Sequence, residues 1–150
     1  MAMTMTGEFM LPADKATVWA RLNDAATLQA AIPGCESLEK TSDTEFAAVV
    51  KVKIGPVSAR FKGKVRLTDI DAPNSYRIVG EGEGGVAGFA KGGATVRLAE
   101  VEGGGTRLGY EVEAQVGGKI AQLGARLVDG TAKKLAAEFF DNFAKALGGG

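Results

Sequence analysis

Histidine is absent from the 150-residue chain, and with it every Ser-His-Asp or Cys-His pair. One cysteine, Cys35, is left as a soft ligand, so zinc and other transition metals have almost nothing to bind. No cofactor is implied. Cys35 follows Pro33-Gly34 with no base beside it and reads as a quiet structural thiol. Alone, it makes no internal disulfide, which suits a reducing compartment. Glu81, Glu83, Glu111 and Glu113 are the side chains best suited by type to acid–base work. They fall at alternate strand positions that turn them outward, the pattern of a solvated face. Gly80-Glu81-Gly82-Glu83-Gly84-Gly85 fits G-x-G-x-x-G, but that loop serves pyrophosphate only when it opens a helix. Here strand continues after it, and two glutamates inside the loop would repel phosphate. The chain is therefore expected not to be an enzyme.

What remains is shape. With Tyr76 and Ile78 facing inward, alternation makes Gly80, Gly82 and Gly84 inward too. Across the next turn the same parity gives Gly88, Ala90, Gly92 and Ala94. Two adjacent strands then offer almost no side-chain volume, where a packed core fills space to a density of about 0.74. An apolar cavity of at least a few hundred Å³, roughly the lower range of ligand sites, is expected between these strands and residues 119–131. Its walls are Phe46, Val52, Phe61, Val65, Ile78, Tyr110, Leu123 and Leu127, with Gly80 and Gly82 as floor. Phe89 is the large side chain able to swing into it, and Tyr76 and Tyr110 supply hydroxyls. The alternative is that the glycines only permit sheet coiling, with Phe89 or Trp19 filling the gap.

The elements that position these residues follow from periodicity. Residues 3–11 alternate as a first strand that Pro12 ends. Val18, Trp19 and Leu22 share one face of a helix over residues 13–22. Asp24 is placed to cap a second short helix, which Pro33-Gly34 stops. From residue 36 to 116 the period is two, over six strands, with one wet face and one covered face as in antiparallel sheets. Residues 119–147 read as one long helix bent near Gly130, or as two helices with a short joint there. Ile120, Leu123, Leu127 and Thr131 share one face before the bend, and Leu135, Phe139, Phe143 and Leu147 another after it. Phe140 falls on the wet stripe if the period is strict, or in a satellite core if the face changes. An α+β domain spanning residues 1–150 results: seven antiparallel strands curling around a long C-terminal helix.

Lysine plus arginine equal aspartate plus glutamate, 18 each, so no global field attracts nucleic acid. No apolar run approaches the ~18–20 residues of a membrane span. The N-terminus lacks the pattern of a signal peptide. A cytoplasmic protein is expected, with the terminal triple glycine a frayed or truncated end.

The order strand, two short helices, six strands, long helix resembles the helix-grip fold of the START-like (SRPBCC) superfamily. Within it, the Ala13–Asp24 stretch, Ile32-Pro33-Gly34-Cys35-Glu36, Gly88-Phe89-Ala90-Lys91-Gly92 and Gly117-Gly118-Lys119-Ile120-Ala121-Gln122-Leu123-Gly124 resemble the CoxG family of carbon monoxide dehydrogenase proteins over nearly the whole chain. None of these is a catalytic signature. The resemblance implies an accessory protein of a CO-dehydrogenase-type molybdenum hydroxylase, serving its maturation or its attachment to the inner face of the cytoplasmic membrane. It also implies an apolar ligand between sheet and helix, of quinone or lipid class. Some relatives carry a further C-terminal tail that this sequence does not show. Two other functions compete: a cyclase or aromatase of the same superfamily, and a docking protein without ligand.

Overall fold

A computed structural model describes residues 1–148; of the terminal triple glycine, positions 149 and 150 lie outside the described residues. The chain runs β1 (Ala2–Leu11), α1 (Lys15–Leu22), α2 (Ala25–Ala31), β2 (Cys35–Ser42), β3 (Glu45–Ile54), β4 (Val57–Asp71), β5 (Ser75–Glu83), β6 (Phe89–Glu100), β7 (Thr106–Gly117), α3 (Lys119–Gln122) and α4 (Ala125–Ala146), with a 3-10 turn at Gly85–Ala87. The seven strands form one sheet ordered β1-β7-β6-β5-β4-β3-β2, and every neighbouring pair is antiparallel. The antiparallel sheet and long C-terminal helix expected from the periodicity are present, in the helix-grip order that the resemblance implies.

Short helices α1 and α2 form because each has an aspartate ahead of its first turn. The Asp14 carboxylate accepts from the Thr17 N–H at 3.0 Å, and Asp24 accepts from the Thr27 N–H at 3.1 Å. These bonds satisfy amides that a helix start otherwise leaves orphaned. Thr106, fully buried, donates its hydroxyl to the Ala13 carbonyl at 2.7 Å and ties the entry of α1 to β7.

The C-terminal segment departs from the expectation. It breaks at Gly124, whose φ of +94° ends α3 and starts α4, and it runs unbroken through Gly130. Glycine at 124 takes a conformation nearly closed to other residues, whereas glycine at 130 is an ordinary helical residue. The break shifts the helical phase, so Val128 is buried and Leu127 is not. Leu127 instead lies over Gly55 in the β3–β4 turn. At its other end α4 is fastened by Asn142, which donates to the Ala31 carbonyl of α2 at 3.1 Å. Phe140 stacks on Phe9 of β1 with ring centroids 4.3 Å apart, and Phe143 is fully buried. Helix α4 thus crosses the concave face diagonally, from the β3–β4 turn to β1 and α2.

Candidate ligand-binding site

The strand register sets two adjacent rows across the concave face. Ala114, Gly92, Gly80, Val65 and Phe46 stand side by side in one; Val116, Ala90, Gly82, Gly63 and Ala48 stand side by side in the next. Seven of those ten positions are alanine or glycine in the middle of the sheet, so the floor carries almost no side chains. The residues of α4 in phase with Val128 above it, Ala132, Leu135 and Ala136, are half-buried.

The core accordingly comes in two pieces. One lies under α1, α2 and the end of α4, around Leu11, Val18, Leu67, Leu98, Leu108 and Phe143. The other closes the opposite end, where Ile54, Val116, Ile120 and Val128 meet. Met5, Val50, Val112 and Leu135 belong to neither piece. They remain half-buried on the concave side, where the boundary between the two pieces forms a seam floored by the alanines and glycines of the sheet. Apolar side chains on a concave face that neither core packs are the arrangement a lipophilic ligand would complete.

The anticipated residues divide around this seam. Phe46 and Tyr76 are buried in the first core, and Val65, Ile78 and Tyr110 are half-buried against it. Val52, Phe61 and Leu123 pack on the second. Gly80 and Gly82 lie on the floor between. Phe89 does not face the seam: it projects from the outer side of the sheet and lies over Gly117, its cross-strand partner. Leu127 is turned out by the phase shift at Gly124. Under residues 119–131, Ile120 and Val128 are buried with Ile54 and Val116, so side chains take part of the space expected there. Val50, Val112, Ala114 and Leu135 are absent from the expected set of site residues, although strand alternation turns the first three to the concave face.

The glycines play different parts. A methyl on Gly82 would have its nearest neighbour, the Lys62 carbonyl oxygen, at 3.7 Å, an ordinary contact. On Gly92 it would run into the Glu113 carbonyl of β7, so that glycine serves a close backbone approach. Gly84 lies under the Phe61 ring.

Two hydroxyls border the seam. Tyr76 stands edge-on to Trp19 at 5.2 Å between ring centroids, and burial pushes its phenol well above the ordinary value. Tyr110 crosses Gly7, stacks near Phe9 and Phe140, and is raised by burial as well. Burial is what raises both phenols.

Three distinct hollows lie elsewhere, and no enclosed cavity of the expected kind is among them. The largest, about 880 Å³, is on the outer face of the sheet over Ala47, Val79 and Gly93. Arg77 spans part of it, donating to the Thr95 hydroxyl at 3.2 Å and pairing with Glu113. A second outer hollow, about 550 Å³, lies over Val49. The third is a notch of about 390 Å³ at Leu123, Leu127 and Thr131 on the flank of α4. Among the described residues no cluster of histidine, cysteine and carboxylates could hold a metal, and no helix is long and apolar enough to cross a membrane.

Solved structures with this architecture are numerous. A conserved protein from Geobacillus kaustophilus is 32% identical, covers 97% of this chain and 95% of its own, and superposes with a TM-score of 0.91. Protein Ms6760 from Mycobacterium smegmatis, 16% identical over 96% of this chain and 90% of its own, gives 0.70. The Zhui aromatase/cyclase from Streptomyces sp. R1128, 9% identical over 97% of this chain and 93% of its own, also gives 0.70. At those last two identities the likeness is one of fold alone. Comparison with curated proteins gives no match. The profile of the CoxG subunit of carbon monoxide dehydrogenase matches residues 7–148, and the chain belongs to the CoxG family.

Proposed function

We propose that this protein is a non-catalytic accessory to a CO-dehydrogenase-type molybdenum hydroxylase, holding an apolar molecule of quinone or lipid class between α4 and the sheet. Family membership supports an accessory role in the carbon monoxide dehydrogenase system. The divided core is the observation that supports the ligand: Val50, Val112 and Leu135 stay half-buried outside both pieces, apolar surface that a lipophilic molecule between α4 and the sheet would help to cover. A quinone suits the seam because its ring and tail need burial while its carbonyls need donors, and Tyr76 and Tyr110 have hydroxyls to give. Carriage of such a molecule would let the protein aid maturation of the enzyme or its recruitment to a membrane.

Native mass spectrometry of the purified protein, with organic extraction of what accompanies it, tests the ligand. Capture of the cognate hydroxylase on the immobilised protein tests the partner. A one-to-one lipophilic adduct is expected. A bare protein that also takes up no added quinone contradicts the carrier reading, whatever the capture shows.

A further inference from the structure

The two edges of the sheet are built differently. Edge strand β2 carries the devices that keep an exposed strand from pairing. Its register on β3 shifts twice, between Cys35 and Ser37 and between Lys40 and Ser42, and Glu36, Glu39 and Lys40 charge it. Helix α2 lies along it, and there Gln29 donates to the Glu36 carbonyl at 3.5 Å. Edge strand β1 has no bulge, no lysine and no proline. It is 10 residues long with one charged side chain, Glu8, and it pairs with β7 from Ala2 to Leu11 without a register shift. Helix α4 meets it from the concave face, where Phe140 stacks on Phe9.

The register also fixes which backbone groups of β1 are free. Met1 and Val116 exchange both of their backbone hydrogen bonds, so in this antiparallel ladder Met3, Met5, Gly7 and Phe9 bond to β7 in the same way. The N–H and C=O groups of Ala2, Thr4, Thr6, Glu8 and Met10 then point to the open edge. Among the described residues no turn or loop backbone meets them. All of these residues are exposed, Met10 at 61%.

A second copy of β1 complements that edge. Run antiparallel about a two-fold axis at Thr6, it sets Thr6 against Thr6, Thr4 against Glu8 and Ala2 against Met10. Every free backbone group then faces another, for about ten hydrogen bonds, and any other antiparallel register leaves some of them out. The two glutamates stay apart, each opposite a threonine, and Met10 covers the small Ala2. On the concave face Met3 falls opposite Phe9, a favourable sulfur–aromatic pair, and Met5 falls opposite Gly7. Basic and acidic residues are equal in number, so no net charge opposes association.

We propose that the protein self-associates through β1, as a two-fold dimer in which two sheets join edge to edge. The axis is perpendicular to the sheet, so both α4 helices and both seams lie on one side of the pair. The proposal does not depend on the seam holding a ligand.

Sedimentation equilibrium of the full chain over a range of concentrations tests it, and a monomer–dimer equilibrium is expected. Thr6→Pro should leave only monomer, because the N–H it removes is one that β7 does not use; thermal melts establish that it is folded. Thr4→Lys should keep or tighten the dimer, since the lysine faces Glu8 of the second copy. Thr4→Lys/Glu8→Lys sets lysine against lysine twice and should weaken it severalfold relative to Thr4→Lys. That comparison decides the matter if Thr6→Pro does not fold. A wild type that stays monomeric at every concentration overturns the proposal, as does a folded Thr6→Pro dimer or equal dissociation constants for the two lysine variants. A monomeric wild type whose capture of the hydroxylase is lost in Thr6→Pro overturns it in favour of a strand supplied by the enzyme.

Discussion

Gly82 and Gly92 lie on neighbouring strands and face the same side of the sheet, yet substituting them should have opposite consequences. Leucine at 82 enters the seam with ordinary contacts at its Cβ, so stability should change by no more than about 1 kcal/mol, the cost of a tolerated apolar change, while quinone uptake is lost. Alanine at 92 meets the β7 backbone and should cost about 1–3 kcal/mol through overpacking. Urea unfolding alongside ligand titration reads both. Alternation revealed that both glycines face inward, but which one makes room and which one allows backbone contact depends on strand separation, which alternation does not encode. Phe89 shows the same limit: the parity that points Gly88 and Ala90 inward points Phe89 outward. At Tyr76 the folded-state pKa is raised by burial, and an unfolded tyrosine ionises near pH ~10. The stability contributed by its neutral phenol is therefore fully present below about pH 10 and is lost as pH rises beyond it. Tyr76→Phe should reduce that alkaline loss in urea midpoints. It should also weaken a carbonyl-bearing ligand by about two- to tenfold, the worth of one neutral hydrogen bond.

Helix α4 illustrates how an element can be legible while its register is not. Its composition and spacing announce a long helix with its bend at Gly130; a second glycine, Gly124, stands earlier in the same stretch. Only the backbone decides between them, and it places the positive φ at Gly124. The one-residue phase shift that follows exchanges Leu127 for Val128 in the core. Two opposite mutational effects are expected. Gly130→Ala, with nothing within 4 Å of the new methyl, should stabilise the protein by about 0.5–1 kcal/mol. Gly124→Ala should cost about 1–3 kcal/mol, because its φ and ψ belong to glycine alone. Thermal melts of the two variants distinguish the break observed from a bend at Gly130. Farther along, Phe140→Ser should cost about 3 kcal/mol, the low end for a core aromatic, because Phe9, Tyr110 and Phe139 all lie against its ring. Unchanged unfolding would return Phe140 to the surface.

Over the whole molecule, the arrangement follows from an alternating sheet whose centre lacks side chains. Large residues at both ends of the concave face, Leu11 and Leu108 toward one and Ile54 and Val116 toward the other, draw helices onto themselves. Helix α4 bridges the two and covers the glycine-rich middle only sparsely, since it presents Ala132, Leu135 and Ala136 there. The order of elements was readable because the period switches cleanly between two and 3.6. The position of the seam was readable only in part, since it depends on which end of α4 plugs the sheet. The outer hollow at Ala47, Val79 and Gly93 provides the competing location for any ligand. A titration of methyl-labelled protein with a short-chain benzoquinone, followed by carbon–proton correlation spectra, sets the two against each other. The account predicts saturable shifts at the methyls of Val50, Val112 and Leu135. Shifts confined to Val49 and Val79 on the outer face, or none at all, would contradict it.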